Sequence, residues 1–233
     1  MNEFSRLLRV NRGEEESWIA TSDMMTGLMM VFLFIVIIYS QLIFGAVEDV
    51  TNTTQRLCSQ LEETFDEYQE DWEISICEDG LIVRFENDAN FASSQCEPSD
   101  VFSNILDTFY PLLMNVVWDN RNDITELMIE GHTSSEYGNE IPLGAYLLNT
   151  ELSQCRSKQV MEYVLDLPEI NQDSRYMEWS FSNLTAHGLS SSRLLYDEND
   201  NEDRTQSRRV EFRIRTNAQE DLYESMSILN EAE

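Results

Sequence analysis

The sequence predicts one membrane-spanning helix near the N-terminus, followed by a single α+β domain. Residues 24–44 form an uncharged, apolar stretch, and the residues after it alternate between strand-like and helix-like apolar spacing. A hydrophobic content of 42% with 10% aromatic residues is enough for a packed core. The net charge of −29 excludes nucleic acid as a partner, because phosphate binding requires clustered Lys and Arg. These patterns predict a cytoplasmic tail at 1–17, a transmembrane helix at 18–44, a linker helix at 45–71, a domain at 72–217 and an acidic tail at 218–233.

The apolar stretch has the length of a membrane span, because about 20 helical residues cross the hydrocarbon core. A cleaved signal peptide is the alternative, but its apolar region is only about 7–15 residues and ends in a small-x-small site. The best such site here, at 44–46, contains the bulky Phe44. Arg6, Arg9 and Arg12 precede the span, so we expect an inner-membrane protein with a cytoplasmic N-terminus and a periplasmic domain.

All four cysteines follow the span, on the side where disulfide bonds persist. They are Cys58, Cys77, Cys96 and Cys155, and their spacing leaves all three possible pairings open. A zinc site is the competing use, but neither a CxxC pair nor a Cys/His cluster supports it, so no metal is expected.

Asp23 is the one acidic residue that the sequence places inside the membrane. If Trp18 and Tyr39 mark the two interfaces, Asp23 lies about 7 Å within the hydrocarbon boundary. A carboxylate at that depth is a candidate for an ion pathway. The alternative is an interfacial residue that caps the start of a helix.

Residues 18–33, WIATSDMMTGLMMVFL, resemble the transmembrane segment of MotB-type stator subunits. The Asp, the Met-Thr pair, the Met-Met pair and the Phe-Leu end are in register with that family. The resemblance implies that Asp23 carries protons, and that the partner is a multi-span MotA-like membrane subunit. Thr26 and Gly27 are small enough to permit close approach of a partner helix.

After the span, a polar linker helix carries apolar residues at helical spacing and is expected to pair with a second copy; these residues are Leu57, Leu61, Phe65 and Tyr68. The domain then shows strand patterns, helix patterns and one turn signal. Strands are predicted at 72–77 and 81–85, around Asp79-Gly80, and then at 124–131, 179–186 and 210–214. Helices are predicted at 101–117, after Pro98 and Ser99, and at 150–165. This order favours an α+β sandwich.

Three segments, 129–133 (IEGHT), 149–156 (NTELSQCR) and 207–212 (SRRVEF), resemble the OmpA-like peptidoglycan-binding domain in the family's order. The resemblance implies binding of the peptidoglycan stem peptide by Asn149, Leu152 and Arg156, with Leu148 beside them. An Arg suits this role because its fork can hold a carboxylate bidentately. Where the family has an Asp that holds the diaminopimelate amine, this chain has Ser134, and Glu136 or Glu140 is expected to replace it.

An intramembrane carboxylate joined to a cell-wall-binding domain is the layout of a proton-driven motor subunit. The short linker and the acidic domain most resemble the ZorB family of the Zorya anti-phage defence system. That resemblance implies a homodimer inside a ring of a multi-span ZorA-like partner. The alternatives are a flagellar MotB-like stator subunit and a passive OmpA-like envelope anchor. No P-loop, dinucleotide fingerprint or supported nucleophile is present, so neither an enzyme nor a cofactor is expected.

Overall fold

The computed structural model describes residues 3–86, 90–92 and 94–230. Residues 1–2 of the expected N-terminal tail and residues 231–233 of the expected C-terminal tail lie outside the described residues. The chain forms two compact units, one with Met1–Glu48 and Glu224–Glu233, the other with Asp49–Tyr223. We call the second unit the α+β domain.

The first helix, α1, runs without a break over Glu3–Phe65. Within the described residues, it is the one helix that is long and apolar enough to cross a membrane. The large apolar side chains of residues 24–44 are exposed along it, apart from the half-buried Ile43. A 3₁₀ turn, Asp66–Tyr68, and the short helix α2, Gln69–Trp72, follow.

The C-terminal turns of α1 pack into the core of the α+β domain. Leu57, Leu61 and Phe65 are fully buried there. Gln60 accepts a hydrogen bond from Asn120 (2.7 Å), and Arg56 forms an ion pair with Asp123 (2.5 Å). Because the three apolar side chains are covered by their own domain, they are not available to a second copy, which corrects the expected role of this face.

The domain is built on a five-stranded sheet of order β1-β2-β5-β3-β4. The strands are β1 (Ile74–Ile76), β2 (Ile82–Phe85), β3 (Ile124–Gly131), β4 (Leu184–Gly188) and β5 (Val210–Thr216). β3 and β4 are parallel, and the other neighbours are antiparallel. The helices are α3 (Asp100–Asp119), α4 (Pro142–Asp166), α5 (Pro168–Asn171), α6 (Ser174–Asn183), α7 (Arg204–Ser207) and α8 (Asn217–Asn230). The predicted class, one N-terminal apolar helix and an α+β domain, is confirmed.

Aromatic rings join the sheet to the helices. Phe85 of β2 and Phe212 of β5 both contact Phe109 of α3, with ring centroids 4.8 and 5.0 Å apart. Phe65 of α1 contacts the same Phe109 ring at 5.0 Å. All four rings are fully buried. Since each buries a large apolar area, this cluster attaches the end of α1 to the sheet.

Three predicted elements differ from the structure. The strand expected at 72–77 is shorter, because α2 continues to Trp72 and β1 spans Ile74–Ile76. The strand expected at 179–186 is wrong in its first half, because α6 continues to Asn183 and β4 begins at Leu184. Asp173 starts α6 by accepting a hydrogen bond from the Arg175 amide (2.9 Å). The helix expected from residue 150 begins eight residues earlier, at Pro142, since proline is well suited to a first turn.

The cysteines form two disulfide bonds, and all four residues are used. Cys58 of α1 pairs with Cys77, which follows β1, and Cys96 pairs with Cys155 of α4. Because all four thiols are in disulfide bonds, none of them is available as a zinc ligand.

A buried ion-pair network crosses the sheet at Glu211 of β5. Its carboxylate accepts from Arg209 (2.7 Å) and Arg84 (3.0 Å) on one oxygen, and from Arg213 (3.1 Å) on the other. Burial opposes ionisation, but the neighbouring His132 ring and the Arg209 guanidinium lower the pKa of Glu211 well below the usual range of Glu. The carboxylate is therefore ionised in the folded state.

We expect Glu211→Gln to lower the free energy of unfolding by about 3–5 kcal/mol near neutral pH, because it leaves buried guanidinium groups uncompensated. The folded-state pKa is depressed, so the carboxylate's contribution is lost as pH falls below about 4.3, the usual value for an unfolded Glu. The difference in unfolding free energy between Glu211→Gln and the wild type should therefore become smaller at acidic pH. Denaturant unfolding of the full chain in detergent measures both effects.

Glu162→Gln is the matched control, because Glu162 forms an exposed pair with Lys158 (2.5 Å) worth at most about 1 kcal/mol. If Glu211→Gln unfolded at the same denaturant concentration as Glu162→Gln, the structural role of the network would be refuted.

Candidate functional site

Helix α4 lies directly on the C-terminal ends of β3 and β4, and this contact places the candidate binding residues. A Cβ added at Gly131 would come 2.5 Å from the backbone oxygen of Ser153, so only glycine permits this approach. The Ser153 hydroxyl also accepts a hydrogen bond from the Ser190 amide (3.0 Å). The glycine of the segment 129–133 thus sets the position of the segment 149–156.

A cavity of about 400 Å³ opens beside this contact. Its lining residues are Phe91, Ser94, Thr133, Ser134, Glu136, Tyr137, Gly138, Asn149, Leu152, Arg156 and Arg208. Three of the expected binding residues, Asn149, Leu152 and Arg156, therefore share one cavity. Leu148 is half-buried and is not among its lining residues.

Asn149 shapes one wall of the cavity from within. Its side chain is buried, and its amide nitrogen donates to the backbone oxygens of Ser134 (3.0 Å) and Glu136 (3.1 Å). These two bonds hold the loop after β3 against α4. The side chain of Asn149 is thus a structural anchor of the loop as well as a lining group.

Arg156 contacts a second segment that lines the cavity. Its Nε donates to the backbone oxygen of Gln95 (2.9 Å) and its Nη2 to that of Ala92 (3.4 Å). The guanidinium also lies 4.7 Å from the centre of the Phe91 ring, a cation–π distance. Only 7% of the residue is exposed. Arg156 therefore combines a charge at the cavity with contacts that position the segment 91–96.

Of the two glutamates expected to replace the family Asp, only one lines the cavity. Ser134 and Glu136 line the cavity, whereas Glu140 does not. The Glu136 carboxylate pairs with Arg204 (2.8 Å). Arg208 and Phe91 also line the cavity and were not identified from the sequence. Arg208 lies within the segment 207–212, which could have indicated it, while Phe91 had no comparable signal.

Glu130, His132 and Glu211 form the one group of possible metal ligands found among the described residues. His132 is 1% exposed, and its Nε2 lies 3.7 Å from Glu130 and 3.6 Å from Glu211. The Glu130 carboxylate, however, already binds Arg213 (3.0 Å) and Arg193 (3.1 Å). Although burial opposes ionisation, His132 and these arginines lower the pKa of Glu130. A cation would have to displace guanidinium groups, so the geometry fits an ion-pair network.

Asp23 lies on the exposed surface of α1. Thr26 and Gly27 follow at i+3 and i+4 and therefore share its face. The Thr26 hydroxyl donates to the Ser22 carbonyl (2.8 Å), and a Cβ added at Gly27 would meet nothing within 4 Å. The helix thus presents a carboxylate beside two small residues, a surface on which a neighbouring helix can approach closely.

The chain is similar in sequence to the Zorya protein ZorB of Escherichia coli, with 35% identity over 215 residues that cover 88% of this chain and 90% of the relative. Among solved structures, a MotB-like protein from Desulfovibrio vulgaris matches 72% of this chain and 93% of its own, with 20% identity and a TM-score of 0.50. The periplasmic domain of Helicobacter pylori MotB covers 68% of this chain and 90% of its own, with 15% identity and a TM-score of 0.44. No protein-family model matches.

We expect Asn149→Ala to release the loop after β3, because two backbone oxygens lose their donor. Because the position is buried, we expect the free energy of unfolding to fall by about 1–3 kcal/mol. Hydrogen–deuterium exchange should accelerate at residues 134–138. Thr150→Ala is the control, since its hydroxyl bonds only within α4, to the Tyr146 carbonyl. Unchanged exchange in Asn149→Ala would contradict the anchoring role.

Proposed function

The chain belongs to the ZorB family of Zorya proteins, and from this premise we propose that it is a proton-driven motor subunit of the bacterial inner membrane, anchored to peptidoglycan and acting in anti-phage defence. In this proposal it works as a homodimer within a ring of a multi-span, ZorA-like partner. The convergence of Asn149, Leu152 and Arg156 on one cavity is the observation that carries the anchoring function.

The cavity suits a peptide that ends in a carboxylate. Arg156 and Arg208 are both among its lining residues, and a guanidinium binds a carboxylate through charge-assisted hydrogen bonds. Leu152 offers an apolar surface to the aliphatic part of a diaminopimelate side chain. Glu136 is the lining carboxylate that can receive an amine in place of the family Asp, with Arg204 as its resting partner.

The acidic domain makes such local groups necessary. With a net charge of −29, the chain repels a partly anionic cell wall. Bulk electrostatic attraction therefore cannot drive the binding, and short-range contacts with Arg156 and its neighbours have to supply it.

In the membrane, we propose that Asp23 carries the proton. A charge that crosses the membrane potential gains about 2.3 kcal/mol per 100 mV, and protonation of Asp23 removes the cost of a carboxylate in the hydrocarbon region. Thr26 and Gly27 let the partner helix come close enough to sense the change. Arg6, Arg9 and Arg12 precede the apolar stretch, and by the positive-inside rule they support a cytoplasmic N-terminus.

Arg156→Ala should weaken binding to purified peptidoglycan at least tenfold in a co-sedimentation assay with the full chain in detergent. Arg156→Lys keeps the charge but loses the fork, so it should bind with intermediate strength. Glu136→Gln should weaken binding less than Arg156→Ala does, because it removes only the contact with the amine. Arg121→Ala is the control, because Arg121 also stacks on an aromatic ring, that of Trp118 (4.6 Å), but does not line the cavity. Equal sedimentation of Arg156→Ala and Arg121→Ala would remove Arg156 from the proposed site.

Asp23→Asn should abolish protection against phage while the protein still co-purifies with its multi-span partner, because only the titratable group is lost. The readout is the plating efficiency of phage on cells that express both subunits. Asp49→Asn makes the same change on an exposed position of α1 beyond the apolar stretch and should keep protection. A passive envelope anchor would instead tolerate Asp23→Asn. Full protection by that variant would therefore contradict the proposed motor function.

A further inference from the structure

The Cys96–Cys155 disulfide adjoins the residue on which the proposed binding function rests. Cys155 directly precedes Arg156 in α4, and Cys96 directly follows Gln95, whose carbonyl accepts from the Arg156 Nε. Two consecutive residues of α4 therefore attach to two consecutive residues of the segment 91–96. One attachment is covalent, and the other is a hydrogen bond.

The same segment supplies two further contacts of the Arg156 guanidinium. Ala92 provides the second carbonyl (3.4 Å), and Phe91 provides the ring below the guanidinium plane (4.7 Å). Phe91 and Ser94 line the cavity beside Arg156. The segment thus contacts the guanidinium and also lines the cavity.

Sheet pairing gives this segment little support. Among its described residues, only Phe91 forms a bridge, with Pro98, and that bridge lies within the same loop. Cys96 is half-buried, while Ala92, Ser94 and Gln95 are exposed. The backbone hydrogen bonds of its described residues are local, as between the Gln95 amide and the Ala92 carbonyl (3.0 Å), so its position against α4 depends on side-chain attachments. The disulfide is the one covalent attachment of this segment to α4.

We propose that the Cys96–Cys155 disulfide is a positioning element of the ligand cavity. It holds the described residues of this segment, 91–92 and 94–96, against α4, so that the guanidinium of Arg156 is fixed at the cavity in one orientation before a ligand arrives. Fixing a charged side chain in advance reduces the conformational entropy that binding would otherwise have to overcome. The proposal deepens the peptidoglycan-binding function and rests on it.

The chain contains its own control. The second disulfide, Cys58–Cys77, joins α1 to the turn after β1, and neither cysteine lines the cavity. Replacing either pair by serine removes one disulfide bond and leaves the other intact. A role limited to general stability predicts similar effects of the two replacements on ligand affinity at a temperature where both variants are folded.

The experiment measures affinity for a diaminopimelate-containing stem tripeptide by calorimetry, with the full chain in detergent. We expect C96S/C155S to raise the dissociation constant at least tenfold and C58S/C77S to change it less than twofold. If the disulfide acts through Arg156, adding C96S/C155S to Arg156→Ala should cause no further loss beyond twofold. Additive losses, or equal losses in both disulfide variants, would overturn the proposal.

A second measurement needs no ligand and separates this proposal from the proposed function. The Arg156 Nε–H resonance, observed by ¹⁵N NMR, should exchange slowly in the wild type and in C58S/C77S. It should exchange rapidly in C96S/C155S, because its bond to the Gln95 carbonyl is released. Slow exchange in C96S/C155S would refute the positioning role even if the tripeptide bound. Absence of tripeptide binding by the wild type, together with the expected exchange pattern, would refute only the peptidoglycan ligand.

Discussion

The close approach of helix α4 to the ends of β3 and β4 is the constraint on which the candidate site depends. Gly131 permits it, because any Cβ there would collide with the backbone of Ser153. With the helix in this position, Asn149 reaches the loop after β3, and Arg156 reaches the segment 91–96. One backbone contact therefore positions a helix whose side chains contact two separate segments that line the same cavity.

The residues of the three family-like segments divide into two groups with different tasks. Asn149, Leu152 and Arg156 line the cavity, while Glu130, His132, Arg209 and Glu211 are buried in the ion-pair network. The network joins β5 to β3 and β2, the strands that flank it in the sheet. Buried charges of this kind need several partners to offset the cost of removing them from water. A sequence motif therefore does not by itself tell a ligand contact from a structural ion pair.

The parts of the structure that depend on local patterns could be predicted from the sequence. The apolar run at 24–44, the alternating strand at 210–214 and the helical spacing around Leu106 and Phe109 depend on near neighbours in the chain. The shared cavity of Asn149 and Arg156 also follows from their spacing on one helix face. Other features depend on distant contacts, which sequence reading alone could not supply. These are the disulfide pairing, the burial of Leu57 and the arrival of Phe91 at the cavity.

We propose that the peptidoglycan stem peptide binds in the cavity between α4 and the loops at 91–96 and 133–138. The most direct test is a titration of the isotope-labelled full chain in detergent with a diaminopimelate-containing tripeptide, followed by amide NMR. If the peptide binds there, we expect chemical-shift changes to concentrate at residues 133–138, 149–156 and 208, while the amide resonances of residues on α6 and α8 stay unchanged. Shifts confined to other surfaces of the domain, or none at saturating tripeptide, would contradict it.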